Sequence, residues 1–471
     1  MDFIYSLAVV LIIFEGIIIQ CEDTPRRKRN EAVNDISGEQ LLPNDVIELI
    51  VSKTDFKTMD GAIREFVVPP NEIVMSRILQ DYVIYIMPEL NVRIHEEYLF
   101  GDSYLTIGGY RRLESFFNHF GHKVKKIHIN LELCSNIQSE KCIRNIFKKC
   151  AKNLEELQIY TKNDERLCEF ISQEENGIFF PKVKKFQIDG ESNRNKLKLN
   201  LIFPKLESFV LNGDVADLNC LENVKGLKEL TLDTASIQED KLDDIFANNE
   251  NLAKIYLFEP NRTETMRSIA KHLTKLKILQ VFWPGEKFLS RTNNNPVFKL
   301  QSVTQLDLTF NKMDEVFGIE DLDLSFDMPH LEKLTLNVDE YDYDDRIFDF
   351  IQHFKELEKL ELLVHAYGPV ELIEKLKHIK EFTIIFDKND FDSLKNMFES
   401  FDKSFKLQTL KMVHFDGSLY QTYEDIMKEF NIHLKNNGKP EWTLSHGKQI
   451  ETGRKYLMFS REPFTCKSCG K

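Results

Sequence analysis

The chain has 471 residues, 42% of them hydrophobic, enough apolar material for an extended core. Its 76 acidic and 62 basic side chains leave a net charge of −14, which argues against nucleic acid, because phosphate binding needs a concentrated positive surface. No GxGxxG, P-loop, HExxH, GxSxG or kinase motif set is present, so no catalytic machinery and no cofactor is expected. His119 and His122 in NHFGHK have no third ligand or catalytic carboxylate identifiable near them in sequence and read as surface histidines at a turn; no metal site is expected.

Residues 3–19, FIYSLAVVLIIFEGIII, are apolar apart from Ser6 and Glu15. They resemble a secretory signal peptide, residues 1–21, with Ile19 and Cys21 ahead of a cut before Glu22. The run is shorter than the ~20 apolar residues that span a bilayer and carries a charge, so no stable membrane insertion is expected. Residues 22–40 form a basic linker containing RRKR at 26–29; it reads as a processing site in a secreted chain, a nuclear-localisation patch in a cytosolic one, or a solvated linker.

Residues 42–66 begin with Leu42-Pro43, continue through Val46, Ile47, Leu49 and Ile50, and close on Asp55, Ala62, Ile63, Arg64 and Phe66. This segment resembles the F-box, a helical module that docks a ubiquitin-ligase adaptor; Phe66 stands where that module has tryptophan, and about three residues are missing between its halves. The plain reading is a helical cap over the first unit of a repeat array, which solenoids require. Residues 41–123 are accordingly expected to be a helical, F-box-like N-terminal region.

From residue 124 one pattern governs the chain. LEKLTLN at 331–337 spaces Leu331, Leu334 and Leu336 as LxxLxL, and copies start at Val124, Leu154, Val183, Leu206, Leu227, Leu252, Leu276, Val303, Leu357, Ile379 and Leu407. Successive starts lie 21 to 30 residues apart. A half-buried strand returning at that interval resembles the leucine-rich repeat, in an irregular form similar to F-box/leucine-rich and ribonuclease-inhibitor-like proteins. The resemblance implies an α/β horseshoe solenoid of about twelve repeats over 124–418. The repeat asparagine appears as Asn311, with Asp214 and Asp339 in the equivalent place elsewhere. Spacers at 239–250, 263–275 and 344–356 carry apolar residues three and four apart and predict helices. An eight-fold β/α barrel also alternates strand and helix, but its units run to ~31 residues and number eight.

Eight cysteines are present. Cys142, Ile146 and Cys150 recur at four-residue spacing and predict one buried helix face; Cys466 and Cys469 form a lone CxxC, read as a tail disulfide or free thiols. Asn261 begins the only glycosylation sequon. Residues 419–462, a helix at 422–437 followed by two strands, read as a C-terminal cap, and 463–471 as a loose tail.

Function is therefore sought in binding. The third, fifth and seventh positions of each unit should face away from the core, which places Tyr160, Tyr256, Phe258, Phe282 and the adjacent Trp283 on the open sheet face with Val210, Ile278 and Leu363. Aromatics on such a face are typical anchors for a protein partner. Residues 307–345 hold thirteen Asp/Glu against Lys312 and Lys333, and Asp339, Glu340, Asp342, Asp344 and Asp345 predict an acidic rim. Helix capping, a calcium ion, a basic protein surface and plain solvation are its alternative readings. Two functional classes follow: a secreted or lumenal, non-catalytic scaffold binding a protein partner on its concave face, or a cytoplasmic or nuclear substrate-recognition subunit of a cullin-type ubiquitin ligase. Cleavage and export of the full chain would separate them.

Overall fold

A computed structural model describes residues 82–86, 92–96, 105–107, 116–118, 120–131, 137–161, 178–189, 197–213, 218–233, 239–258, 263–283, 298–310, 326–338, 350–364, 378–386, 407–413, 420–436, 441–448 and 455–460. The leader, the basic linker, the F-box-like segment, Asn261, Asn311, Asp214, the acidic rim 339–345 and the CxxC tail lie outside the described residues. The chain forms two compact units, Met1–Leu154 and Glu155–Lys471.

In the first unit the stretch expected to be helical carries three strands, β1 (Tyr82–Ile86), β2 (Val92–Glu96) and β3 (Leu105–Ile107). The reason is local: YVIYI and VRIHE are β-branched and aromatic runs whose side chains suit a pleated surface better than a helix. β1 and β2 pair antiparallel, β2 and β3 likewise, and β1 pairs parallel with β4 (Lys126–Asn130). Behind β4, Ile127 and Ile129 are buried, as are Cys142, Ile146 and Cys150 along α1 (Ile137–Cys150). Gly121 is required by packing here, since a Cβ on it would stand 2.8 Å from Lys149 Cβ of that helix. Burial pushes the Cys150 thiol far above its ordinary range, so it is an inert core group.

The second unit is organised by eleven parallel strands paired in chain order: β5 (Glu156–Tyr160), β6 (Lys185–Asp189), β7 (Ser208–Asn212), β8 (Glu229–Asp233), β9 (Lys254–Phe258), β10 (Ile278–Trp283), β12 (Gln305–Phe310), β14 (Lys333–Val338), β15 (Lys359–Val364), β16 (Glu381–Phe386) and β17 (Thr409–Val413). The short strands β11 (Phe298–Lys299) and β13 (Phe326–Asp327) form a separate parallel pair within the spacers. Register does not slip across the series: Leu157, Phe186, Phe209, Leu230, Ile255, Leu279, Leu306, Leu334, Leu360, Phe382 and Leu410 align, and none is more than 3% exposed. The backbone extends that alignment one residue upstream. Glu207 and Ser208 N–H both donate to Lys184 O at 2.8 Å, and Glu332 and Lys333 N–H to Thr304 O at 2.9 and 3.0 Å. Each strand therefore seats on its predecessor at the same point, which is what unit-by-unit stacking requires.

The spacers return the chain over the apolar face. α2 (Leu199–Ile202) is a single turn; α3 (Glu239–Asn248) buries Leu242, Ile245 and Phe246, and α4 (Thr263–His272) buries Met266 and Ile269. Their apolar residues fall three and four apart, one face of a helix. Asn249, 2% exposed, ties one unit to the turn before it. Its Nδ2 donates to Val224 O and Ile245 O at 2.9 Å, and its Oδ1 accepts Leu227 N–H at 3.0 Å, across a turn in which Gly226 takes φ +87°. The series ends differently. β17 pairs antiparallel with β19 (Lys455–Ser460), which pairs antiparallel with β18 (Thr443–Lys448). Between β17 and β18 the chain forms α5 (Tyr420–Asn436), which buries Met427, Phe430 and Leu434 and whose Asn431 side chain both accepts from Trp442 N–H and donates to Trp442 O at 2.8 Å.

One polar cluster couples α3 to α4. Ser268 Oγ and His272 Nε2 both meet Asp243 Oδ1, the latter at 2.9 Å, and Lys271 Nζ lies 3.1 Å from Oδ2. The Ser268 hydroxyl first, then Lys271 and His272, outweigh burial and hold the Asp243 carboxyl down at about 2. A folded-state value below the unfolded one stabilises the fold above pH ~4, and that contribution fades as pH falls toward 2. Asp243→Asn should therefore cost about 1 kcal/mol at pH 6, allowing for solvent screening of this partly exposed group. Urea titrations of the two proteins should draw together as pH falls from about 4 to about 2; a gap constant over that range would show that the carboxylate charge contributes nothing.

Candidate functional site

Strand alternation puts the third, fifth and seventh positions of each unit on the sheet face opposite the core, in three rows along the strand series. The third row is the most distinctive. It runs through Tyr160, Asp189, Asn212, Asp233, Phe258, Phe282, Thr309 and Asn337, and in no strand of the second unit does it carry a lysine or arginine. The first row, by contrast, holds Lys185, Lys254, Lys333 and Lys359. Lys333 pairs with Glu361 at 3.8 Å and Lys359 with Glu381 at 2.9 Å, exposed contacts that contribute little to stability.

The structure gathers three of the expected aromatics. Phe258 and Phe282 are direct cross-strand neighbours, their rings stacked with centroids 4.4 Å apart and planes at 23°. Tyr256 meets Phe258 edge-on at 5.5 Å. All three are half-buried, and burial pushes the Tyr256 phenol above its ordinary value. Tyr160 does not join them. It is 37% exposed at the end of β5, four strand spacings, or about 19 Å, from β9. Trp283 is the last residue of β10, and its side chain and that of Leu363 lie outside the described residues, whereas Val210 and Ile278 are half-buried on the same face.

Two carboxylate clusters on this face were not anticipated. Asp189 accepts from Gln158 at 2.7 Å, from Gln187 at 3.0 and 3.1 Å, and from Asn212 at 2.6 Å. Asp307 accepts from Gln305 at 3.2 and 3.1 Å and from the Gln280 amide. In both, neutral amides fix the orientation of a carboxylate without neutralising it, from the same and the preceding strand and, for Asp189, also from the following one. The sequence trace was present: glutamine stands at outward positions of LEELQI, VKKFQI, LKILQV and of the strand starting QLDL. Among the described residues, no three His, Cys, Asp or Glu side chains gather as metal ligands, and no helix is long and apolar enough to cross a membrane. Neither a protein-family model nor a curated protein matches this chain.

Proposed function

We propose that this chain is a leucine-rich-repeat protein of about twelve units that performs no reaction and binds a protein partner on its open sheet face, after routing into the secretory pathway by residues 1–21. The observation that carries the binding reading is the stacked Phe258–Phe282 pair with Tyr256 against it, held half-exposed together on the open sheet face. Apolar rings on neighbouring strands gain from each other, yet solvent still reaches them, and such anchored aromatics are what interfaces use as hot spots. In the family this chain resembles, the sheet curls inward, so that face would be concave.

The test is the triple replacement Tyr256→Ala, Phe258→Ala, Phe282→Ala. A partner captured with the full chain should bind this variant at least tenfold more weakly, since a hot-spot aromatic contributes ~2 kcal/mol or more. Its far-ultraviolet circular dichroism should match the parent. Equal affinity for both proteins would move the binding site elsewhere.

A further inference from the structure

Among the described residues, the Phe258–Phe282 stack ends at Phe282, which leaves a slot beside that ring. Phe258 and Phe282 stack at 4.4 Å, close to the ~4.8 Å between neighbouring strands, so the ring normals run along the strand series and the rings stand up from the sheet. The far face of Phe282 is therefore turned toward β12. The residue opposite it there is Thr309, too small to continue the stack. Two residues earlier on the same strand is Asp307, about 8 Å diagonally from Phe282 by strand geometry and held in place by Gln280 and Gln305. Among the described residues no lysine or arginine pairs with Asp307, and the third row supplies no cation of its own.

We infer that the space above Thr309 receives an arginine side chain of the protein partner, its guanidinium stacking on Phe282 as the next plane after Phe258 and donating to Asp307. This rests on the proposed docking role of the aromatic face and names what that face recognises. A guanidinium is the side chain that fits both demands. It is planar, remains cationic, stacks on aromatic faces and donates in a fixed fork that matches a carboxylate. A lysine ammonium offers no plane to extend the stack, and an apolar side chain would leave the Asp307 charge desolvated beside it.

The probe is a library of random linear peptides displayed and selected on the full chain, with binders synthesised singly. Enriched peptides should carry an arginine, and replacing it with citrulline, of the same shape but uncharged, should weaken binding at least tenfold. On the Asp307→Asn protein the arginine peptide should bind as weakly as the citrulline peptide binds the parent, and the citrulline change should have little further effect there. Thr309→Phe, which fills the slot with the ring the stack lacks, should abolish binding. Asp189→Asn, on a distant strand, should leave it unchanged. Peptides that require Phe258 and Phe282 but tolerate citrulline and Asp307→Asn would overturn the guanidinium slot while leaving the aromatic docking face intact. Peptides indifferent to Phe258→Ala and Phe282→Ala, or no enrichment at all, would count against both.

Discussion

Leu334→Asp should unfold the second unit, while Thr335→Asp, one residue along the same strand, should leave it folded. Leu334 is wholly buried, aligned between Leu306 and Leu360. A carboxylate there is desolvated with no partner, or is forced to take up a proton, at a cost of several kcal/mol, and the lost leucine packing adds ~2 kcal/mol or more. That total is comparable to the ~5–15 kcal/mol by which whole domains are stable. Thr335 is on the opposite face, half-exposed between Asp307 and Glu361. A third carboxylate in that row repels its neighbours, so the control is a demanding one, but the penalty should stay within ~1 kcal/mol. Thermal melts of the two variants should differ widely; similar melting curves would mean that the strand faces are assigned the wrong way round.

Asn249→Leu should be the costliest polar replacement within the described residues, at about 3 kcal/mol. Its side chain makes three hydrogen bonds in a site 2% exposed, and it satisfies Val224 O and Leu227 N–H in the preceding unit. Leucine matches the size but leaves those groups buried without partners, each costing ~1–3 kcal/mol. The loss should appear as a lower urea midpoint with an unchanged slope. Asn248→Ala next to it should change the midpoint far less. The Asn248 side chain is more exposed and makes one long bond to Glu222 O at 3.3 Å. Equal effects would place the Asn249 contacts outside the cooperative core.

How much of this was readable beforehand follows from what each feature depends on. The buried positions of the strands were legible because a strand with one covered face must alternate, and LxxLxL states that alternation locally. Helices α3 and α4 were legible for the same kind of reason, with their ends two or three residues early: the 239–250 reading stops at Asn248, and 263–275 at His272. The strands at 82–107 lie beyond the 42–66 segment that carries the F-box resemblance, in YVIYI and VRIHE, whose β-branched and aromatic residues favour a strand over the helix that segment implies. On the open face, the exposure of single residues was legible but their grouping was not. Tyr160 and Phe258 occupy the same place in their own repeats, and only strand order separates them. Likewise the amide-held Asp189 and Asp307 depend on contacts between strands 23 to 31 residues apart in sequence, which no local pattern encodes.

The most direct measurement is site-specific photocross-linking of the full chain in the presence of its natural partners. A benzophenone amino acid would replace Phe282 on the open face, or Leu201 or Ile432, exposed apolar residues at 62% and 61%. Neither of the latter belongs to the three outward rows; both are carried on helices. Docking on the open face predicts a discrete adduct from position 282, lost when Phe258 and Tyr256 are also replaced by alanine, and none from positions 201 and 432. An adduct formed only from Leu201 or Ile432, with position 282 silent, would contradict it.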